Sequence, residues 1–189
     1  MIITIARECG SGGHEIGEKL AKRFELELYD KHILIEETKK LGKYEEMARF
    51  YEETPIDSLL YAIAMGIGTN QIGKLPFEMI KELASQKSFV IIGRCSNYVL
   101  RNYPDFTSVY IHGETESKVK RTMQKQMLSE KKALELIKQV DKKRATYHKY
   151  YTDEIWGDAK NYQITLNSSL IGVDKSVDMI AEYIKCKKY

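Results

Sequence analysis

Residues 10–13 read Gly-Ser-Gly-Gly, with Arg7 before them and His14 and Glu15 after them. Glycine reaches positive φ at no steric cost and lets main chain come close to a ligand. Successive N–H groups turned into one concavity bind anions, and a helix opening at that point adds partial positive charge. The chemistry suggested is phosphate binding by Gly10, Ser11, Gly12, Gly13, His14 and Glu15, with Arg7 and His14 completing an anion cradle. The common lysine-bearing form of such a loop is G-x-x-x-x-G-K-[ST]. With Gly12 as the last loop glycine, Gly13 stands where that lysine should be, and no Ser or Thr follows to meet Mg²⁺. The same residues also fit a flexible strand-to-helix turn that binds nothing.

Further along, Arg94 follows Ile92-Gly93, so its side chain should emerge at a strand end. A planar guanidinium there suits bidentate phosphate recognition or a structural pairing with a carboxylate. Asp141 and Arg144 are i, i+3 on one helix, and His148 is one turn beyond. That face could read a sugar hydroxyl and a phosphate, or form a solvated ion pair of tenths of a kcal/mol. Lys118, Lys120, Arg121 and Lys125 form a basic group, of which Arg121 is the best candidate to neutralise a transferred phosphoryl group. Tyr147, Tyr150, Tyr151 and Trp156 suit core packing better than base stacking.

These groups need a scaffold that brings strand ends together. Ile2-Ile3-Thr4-Ile5-Ala6 reads as a buried strand. Ile16, Leu20 and Phe24 then form one stripe of a helix. Residues 30–86 read as wholly helical, with Thr54-Pro55-Ile56-Asp57 as a helix start, an end near Gly66 and Gly68, and another start at Pro76. Further strands are expected at 88–92, 108–112 and 162–166. Helices at roughly 114–128 and 131–151 lie between the last two, and a final helix carries Val177, Ile180, Ala181 and Ile184. Alternating strands and helices imply a mostly parallel sheet covered on both faces. Ligands of such sheets sit at the carboxyl ends of the strands.

Composition narrows the function classes. The chain has 189 residues, 43% hydrophobic and 30% charged, which suits a single folded domain over 1–189. Thirty Lys and Arg against 27 Asp and Glu leave a net charge of +3, too balanced to imply nucleic acid. No 18-residue apolar run exists, so no membrane span is expected. Cys9, Cys95 and Cys186 form no C-x-x-C pair and no zinc pattern, consistent with free thiols in the cytoplasm and no protein metal site. Cys9, near a helix start, is expected to be somewhat reactive, although nothing pairs it with a base.

Taken together, the segments Ile3 to Gly17, Tyr29-Asp30-Lys31, Ile92-Gly93-Arg94-Cys95, Asp141 to Ala145, Trp156-Gly157-Asp158 and Asn161-Tyr162 resemble the cytidylate kinase-like family of P-loop kinases. The resemblance implies an α/β, three-layer P-loop NTPase fold with a parallel central sheet. It also implies a helical acceptor-binding insertion over 30–86 and a lid at about 114–135. Its implied activity is ATP- and Mg²⁺-dependent transfer of a phosphoryl group to a nucleoside monophosphate, possibly CMP. In the family pattern, Arg94 grips the acceptor, Asp141 and Arg144 hold its sugar and base region, and Asp30 lies on the acceptor side. The loop 10–15 holds the donor, with Arg121 and His14 nearest the chemistry. Cys95 replaces the family's Asp after Gly-Arg, Glu36 replaces an acceptor-side Arg, and Asn167-Ser168-Ser169 is similar to the family's Asp-Thr-Ser. Two rivals remain: a catalytically inactive nucleotide or anion sensor, suggested by Gly13, and a kinase of a non-nucleotide small molecule. Self-association stays open.

Overall fold

The computed structural model describes residues 1–40, 42, 51 and 74–187. β1 (Ile2–Arg7) is followed by α1 (Gly13–Arg23), β2 (Glu27–Tyr29) and α2 (Lys31–Lys40). α3 (Lys74–Gln86) leads to β3 (Phe89–Ile92), a single-turn α4 (Ser96–Val99) and β4 (Phe106–His112). α5 (Thr115–Gln126), α6 (Glu130–Thr152), a 3₁₀ turn (Ala159–Asn161), β5 (Ile164–Asn167) and α7 (Ser168–Cys186) complete the chain. The five strands make one all-parallel sheet in the order β2-β3-β1-β4-β5.

The three layers follow from the pleat, which sends alternate side chains to opposite faces. Ile2, Phe89 and Ile91 join Tyr29, Leu34, Ile80 and Tyr147 on one face. Ile3, Ile5, Val90, Val109 and Ile111 meet Ile16 and Leu20 of α1 and Val177 and Ile180 of α7 on the other. Both strand faces are therefore apolar, as a doubly covered parallel sheet requires. α1 lies close on the sheet because Gly17 has no side chain: a Cβ there would stand 2.9 Å from Ile92 Cδ1 and 3.2 Å from Ile5 Cδ1. Lys19–Asp174 and Arg23–Asp178 ion pairs tie α1 to α7 at its exposed edge.

The α/β architecture matches the expectation, with two differences in detail. The segment expected to be helical from residue 30 is preceded by an edge strand, β2. Three residues running from exposed to buried carry too little pattern to announce a strand. α4 was also not expected. Within 30–86, α2 and α3 are helical, whereas the expected helix from Thr54 to Gly68 lies outside the described residues. Tyr147 and Tyr151 pack with centroids 4.8 Å apart and Trp156 meets Tyr110 edge-on at 5.5 Å, whereas Tyr150 is 38% exposed. Among the described residues no helix is long and apolar enough to cross a membrane.

Candidate functional site: a glycine loop between two clefts

Residues 8–12 join β1 to α1 at the carboxyl rim of the sheet. Gly10 and Gly12 have φ of +78° and +81°, so the turn needs residues without a Cβ penalty. Gly12 caps α1. Two contacts from distant segments and one within the loop hold it. Asp141 Oδ1 accepts the Cys9 N–H at 2.7 Å. Ser168 Oγ, at the start of α7, donates to the Ser11 carbonyl at 2.5 Å. Ser11 Oγ turns inward onto the Glu8 carbonyl at 2.9 Å. Among the described residues the N–H groups of Gly10, Gly12, Gly13, His14 and Glu15 donate to no protein acceptor. Five unused donors at a helix start form the physical basis of an anion site.

Beneath and around the loop is a charge network. Lys118, 8% exposed, pairs with Glu8 at 2.8 Å and with Asp141 at 3.6 Å. Glu8 also accepts the Gly113 N–H. Burial pushes the Asp141 carboxyl above the usual range, against the pull of the Cys9 N–H, Lys118 and Arg144. Arg144 donates to the Arg7 carbonyl at 3.1 Å and is 4.0 Å from Asp141. The expected i, i+3 pair thus shares a site, and each partner also contacts the glycine-loop region. Burial raises the Cys9 thiol despite Arg144, Lys118 and Arg7 nearby, so the expected reactive thiolate is not favoured.

Arg121 Nη1 donates to Glu15 Oε2 at 2.7 Å. A Cβ on Gly12 would lie 3.1 Å from the Arg121 guanidinium carbon, so this arginine lies directly over the loop. His14 stands 3.3 Å from Glu18 and 3.9 Å from Asp30. Asp30 caps α2 by accepting the N–H groups of His32 and Ile33. Arg94 differs from its expected outward pose. Gly93, Arg94 and Cys95 all have positive φ, and this tight bend leaves Arg94 only 3% exposed. It lies with Arg7, Arg144 and His148 around a cavity of about 20 Å³.

Two larger clefts meet at the loop. One, of about 420 Å³, is lined by Arg7, Gly12, His14, His32, Arg121 and Arg144. The other, of about 680 Å³, runs between Ser117, Lys120 and Gln124 of α5 and the β5–α7 corner at Ser168 and Ser169. Gly10, Glu15, Arg121 and Lys125 line both. Sequence reading missed Glu8 as the partner of Lys118, and nothing in the sequence signals a pairing across 110 residues.

His148 gives the site a pH signature. It is 3% exposed, and burial depresses its pKa from 6.5 to about 4. Arg7, Arg94 and Arg144 line its cavity, and Glu154 faces it with Oε2 at 3.8 Å while its Oε1 accepts from Arg101 at 3.3 Å. Below pH 6.5 the unfolded chain takes a proton that the folded chain refuses. Stability is therefore full above that pH and lost as pH falls toward 4, by up to about 3 kcal/mol. The thermal midpoint should fall more steeply between pH 6.5 and 4.5 in the wild type than in His148→Gln. Parallel curves would contradict this assignment.

Comparison with known proteins agrees with this geometry. A crystal structure of an uncharacterized protein from Eubacterium ventriosum is 33% identical over 99% of both chains, with a TM-score of 0.80. Shikimate kinase from Bacteroides thetaiotaomicron has a TM-score of 0.57 at 15% identity, over 98% of both chains. A gluconokinase from Sinorhizobium meliloti has a TM-score of 0.52 at 12% identity, over 97% of this chain and 93% of its own. The last two share the P-loop kinase fold. A search of curated proteins found no match. The profile of the cytidylate kinase-like family matches residues 2–170, nearly the whole chain. A parallel sheet in this order, a glycine loop with unused amides and that match establish that the chain belongs to the cytidylate kinase-like family.

Proposed function

We propose that this protein is an ATP-dependent phosphotransferase whose acceptor is a nucleoside monophosphate such as CMP. One observation carries the reading: five unused main-chain donors sit where two clefts meet. A phosphoryl transferase needs that arrangement, with donor on one side, acceptor on the other and the reacting phosphorus between them. The 680 Å³ cleft takes the donor nucleotide and the 420 Å³ cleft the acceptor. The acceptor oxygen forms its bond to the γ-phosphorus as the bridging P–O bond breaks, and that electron pair leaves on ADP. A phosphate acceptor is already anionic at neutral pH, so no general base is needed.

The loop needs its glycines to pack against α5: a Cβ on Gly10 would come within 2.7 Å of the Lys118 carbonyl, and one on Gly12 would crowd Arg121. Among the described residues no group of three or more His, Cys, Asp or Glu is placed to hold a metal ion. Mg²⁺ would be held by phosphate oxygens and water, and Glu15 is the carboxylate that lines both clefts. When bound, the ion neutralises phosphate charge. Residues 114–135 act as the lid, with Arg121 reaching the loop from α5, and Arg144 lines the acceptor cleft, with Asp30, Arg94 and Asp141 positioning its walls.

A coupled ADP-release assay against nucleoside monophosphates, sugars and hydroxy acids tests this reading. CMP or another monophosphate should stimulate ADP release at least about tenfold over acceptor-free turnover. ATP binding without turnover on any acceptor would favour the sensor, and turnover only with an uncharged acceptor would move the substrate class. Arg94→Lys keeps the charge but loses the planar fork. It should raise the acceptor KM by about tenfold, or about 1.4 kcal/mol, and leave the ATP KM unchanged. An unchanged acceptor KM would remove Arg94 from the binding set.

A further inference from the structure

In the lysine-bearing loop G-x-x-x-x-G-K, the first glycine lies six residues before the lysine. In this chain those two positions are Arg7 and Gly13. The small residue and the cation have exchanged places. The structure shows why the exchange must be made at both ends. A Cβ on Gly13 would collide with Arg7 Cβ and stand 2.9 Å from Arg7 Cγ. No lysine fits at residue 13 while an arginine occupies residue 7. The Arg7 side chain then crosses the rim toward β3, where its Nη1 lies 2.5 Å from the position a Cβ on Gly93 would take. Two glycines, one opening α1 and one closing β3, clear the track for this side chain.

The destination is informative. Arg7 lines the 420 Å³ cleft together with the glycine loop, and also the small cavity that holds Arg94 and Arg144. It therefore spans the donor loop and the acceptor side.

We propose that Arg7 is a catalytic residue that replaces the missing loop lysine, donating hydrogen bonds from its guanidinium to oxygens of the transferred γ-phosphoryl group. The inference rests on the phosphotransferase reading above. As the bond from acceptor oxygen to γ-phosphorus forms and the bridging bond breaks, charge shifts across the phosphoryl oxygens and onto ADP. A fixed guanidinium beside those oxygens stabilises it.

The test uses Arg7→Gln, which keeps most of the stem between the two glycines and removes the charge, with thermal unfolding as the control for folding. Calorimetry with ATP·Mg²⁺ and ADP·Mg²⁺ reads the ground state. Transfer from ATP to CMP, or to whichever compound the wild type accepts, reads the reaction. Arg7→Gln should bind ATP about tenfold more weakly and ADP within twofold of wild type, and its kcat should fall about 10²- to 10³-fold. Wild-type ATP affinity with undiminished kcat would overturn the proposal. An equal loss for ADP would overturn the γ-phosphoryl assignment. A wild type that transfers to nothing defeats the phosphotransferase reading, while the ATP-against-ADP comparison still judges the contact of Arg7. A second variant guards against misfolding: Arg7→Gly with Gly13→Lys returns the glycine and the cation to their common positions. That double variant should exceed Arg7→Gly in kcat at least tenfold, and no gain between two folded variants would contradict the exchange.

Discussion

Replacing Gly10 by alanine should lower stability by about 3 kcal/mol and weaken ATP binding at least tenfold. Two effects add. Gly10 has φ +78°, where an L-residue costs about 1–2 kcal/mol. The new methyl group would stand 2.7 Å from the Lys118 carbonyl and 2.8 Å from Thr122 Oγ1. The first of these is helix backbone and cannot swing aside, so overpacking adds about 1–3 kcal/mol. Relief requires the loop to lift from α5, which turns its amides away from the anion they are placed to meet. Thermal unfolding and ATP titration read the two effects separately. A variant with wild-type midpoint and affinity would show that the loop does not need this conformation.

Asp141→Ala should produce a loss of similar size by a different route. Asp141 accepts the Cys9 N–H and is one of two carboxylates on Lys118. Its removal leaves a part-buried amide without its acceptor and a nearly buried ammonium with Glu8 alone. Breaking such a pair costs about 3 kcal/mol, or a fall of about 6–12 °C in Tm for a chain of this size. Asp141→Asn keeps an oxygen for Cys9 and should lose less than half as much. Were Asp141 only a reader of the acceptor's sugar, both variants would keep the wild-type Tm and differ only in acceptor KM. The expected result is a shift in Tm together with weaker ATP binding, because Cys9 leads directly into the loop.

These two variants mark the border of what sequence alone discloses. The glycine loop was legible because its cause is local: a β-branched run, four small residues and an amphipathic stripe fall within residues 2–24. The parallel sheet was legible for the same reason, strand by strand. β2 was not, because Glu27-Leu28-Tyr29 is short, lies at the sheet edge and gains its order from pairing with β3, 62 residues later. The burial of Arg94 was hidden too, since three successive left-handed residues are a tertiary outcome that Gly-Arg-Cys does not announce. Asp141 and Arg144 look like a helix-surface pair at i, i+3, yet Asp141 reaches Cys9 across 132 residues and Arg144 reaches Arg7 across 137. Of the basic residues on α5, Lys118 is buried on Glu8 while Arg121, one turn on, is 40% exposed at its side chain over the loop. Periodicity places both near the rim and does not say which one faces a ligand.

The central claim is that main-chain amides of residues 10–15, without a loop lysine, hold a polyphosphate. Calorimetric titration of the wild-type protein with ATP in the presence of magnesium tests it most directly. The account predicts one saturable site per chain with a Kd between about 1 μM and 1 mM, weakened by added salt and by Gly10→Ala. Absence of binding heat at millimolar ATP, confirmed by an unchanged Tm in its presence, would contradict it.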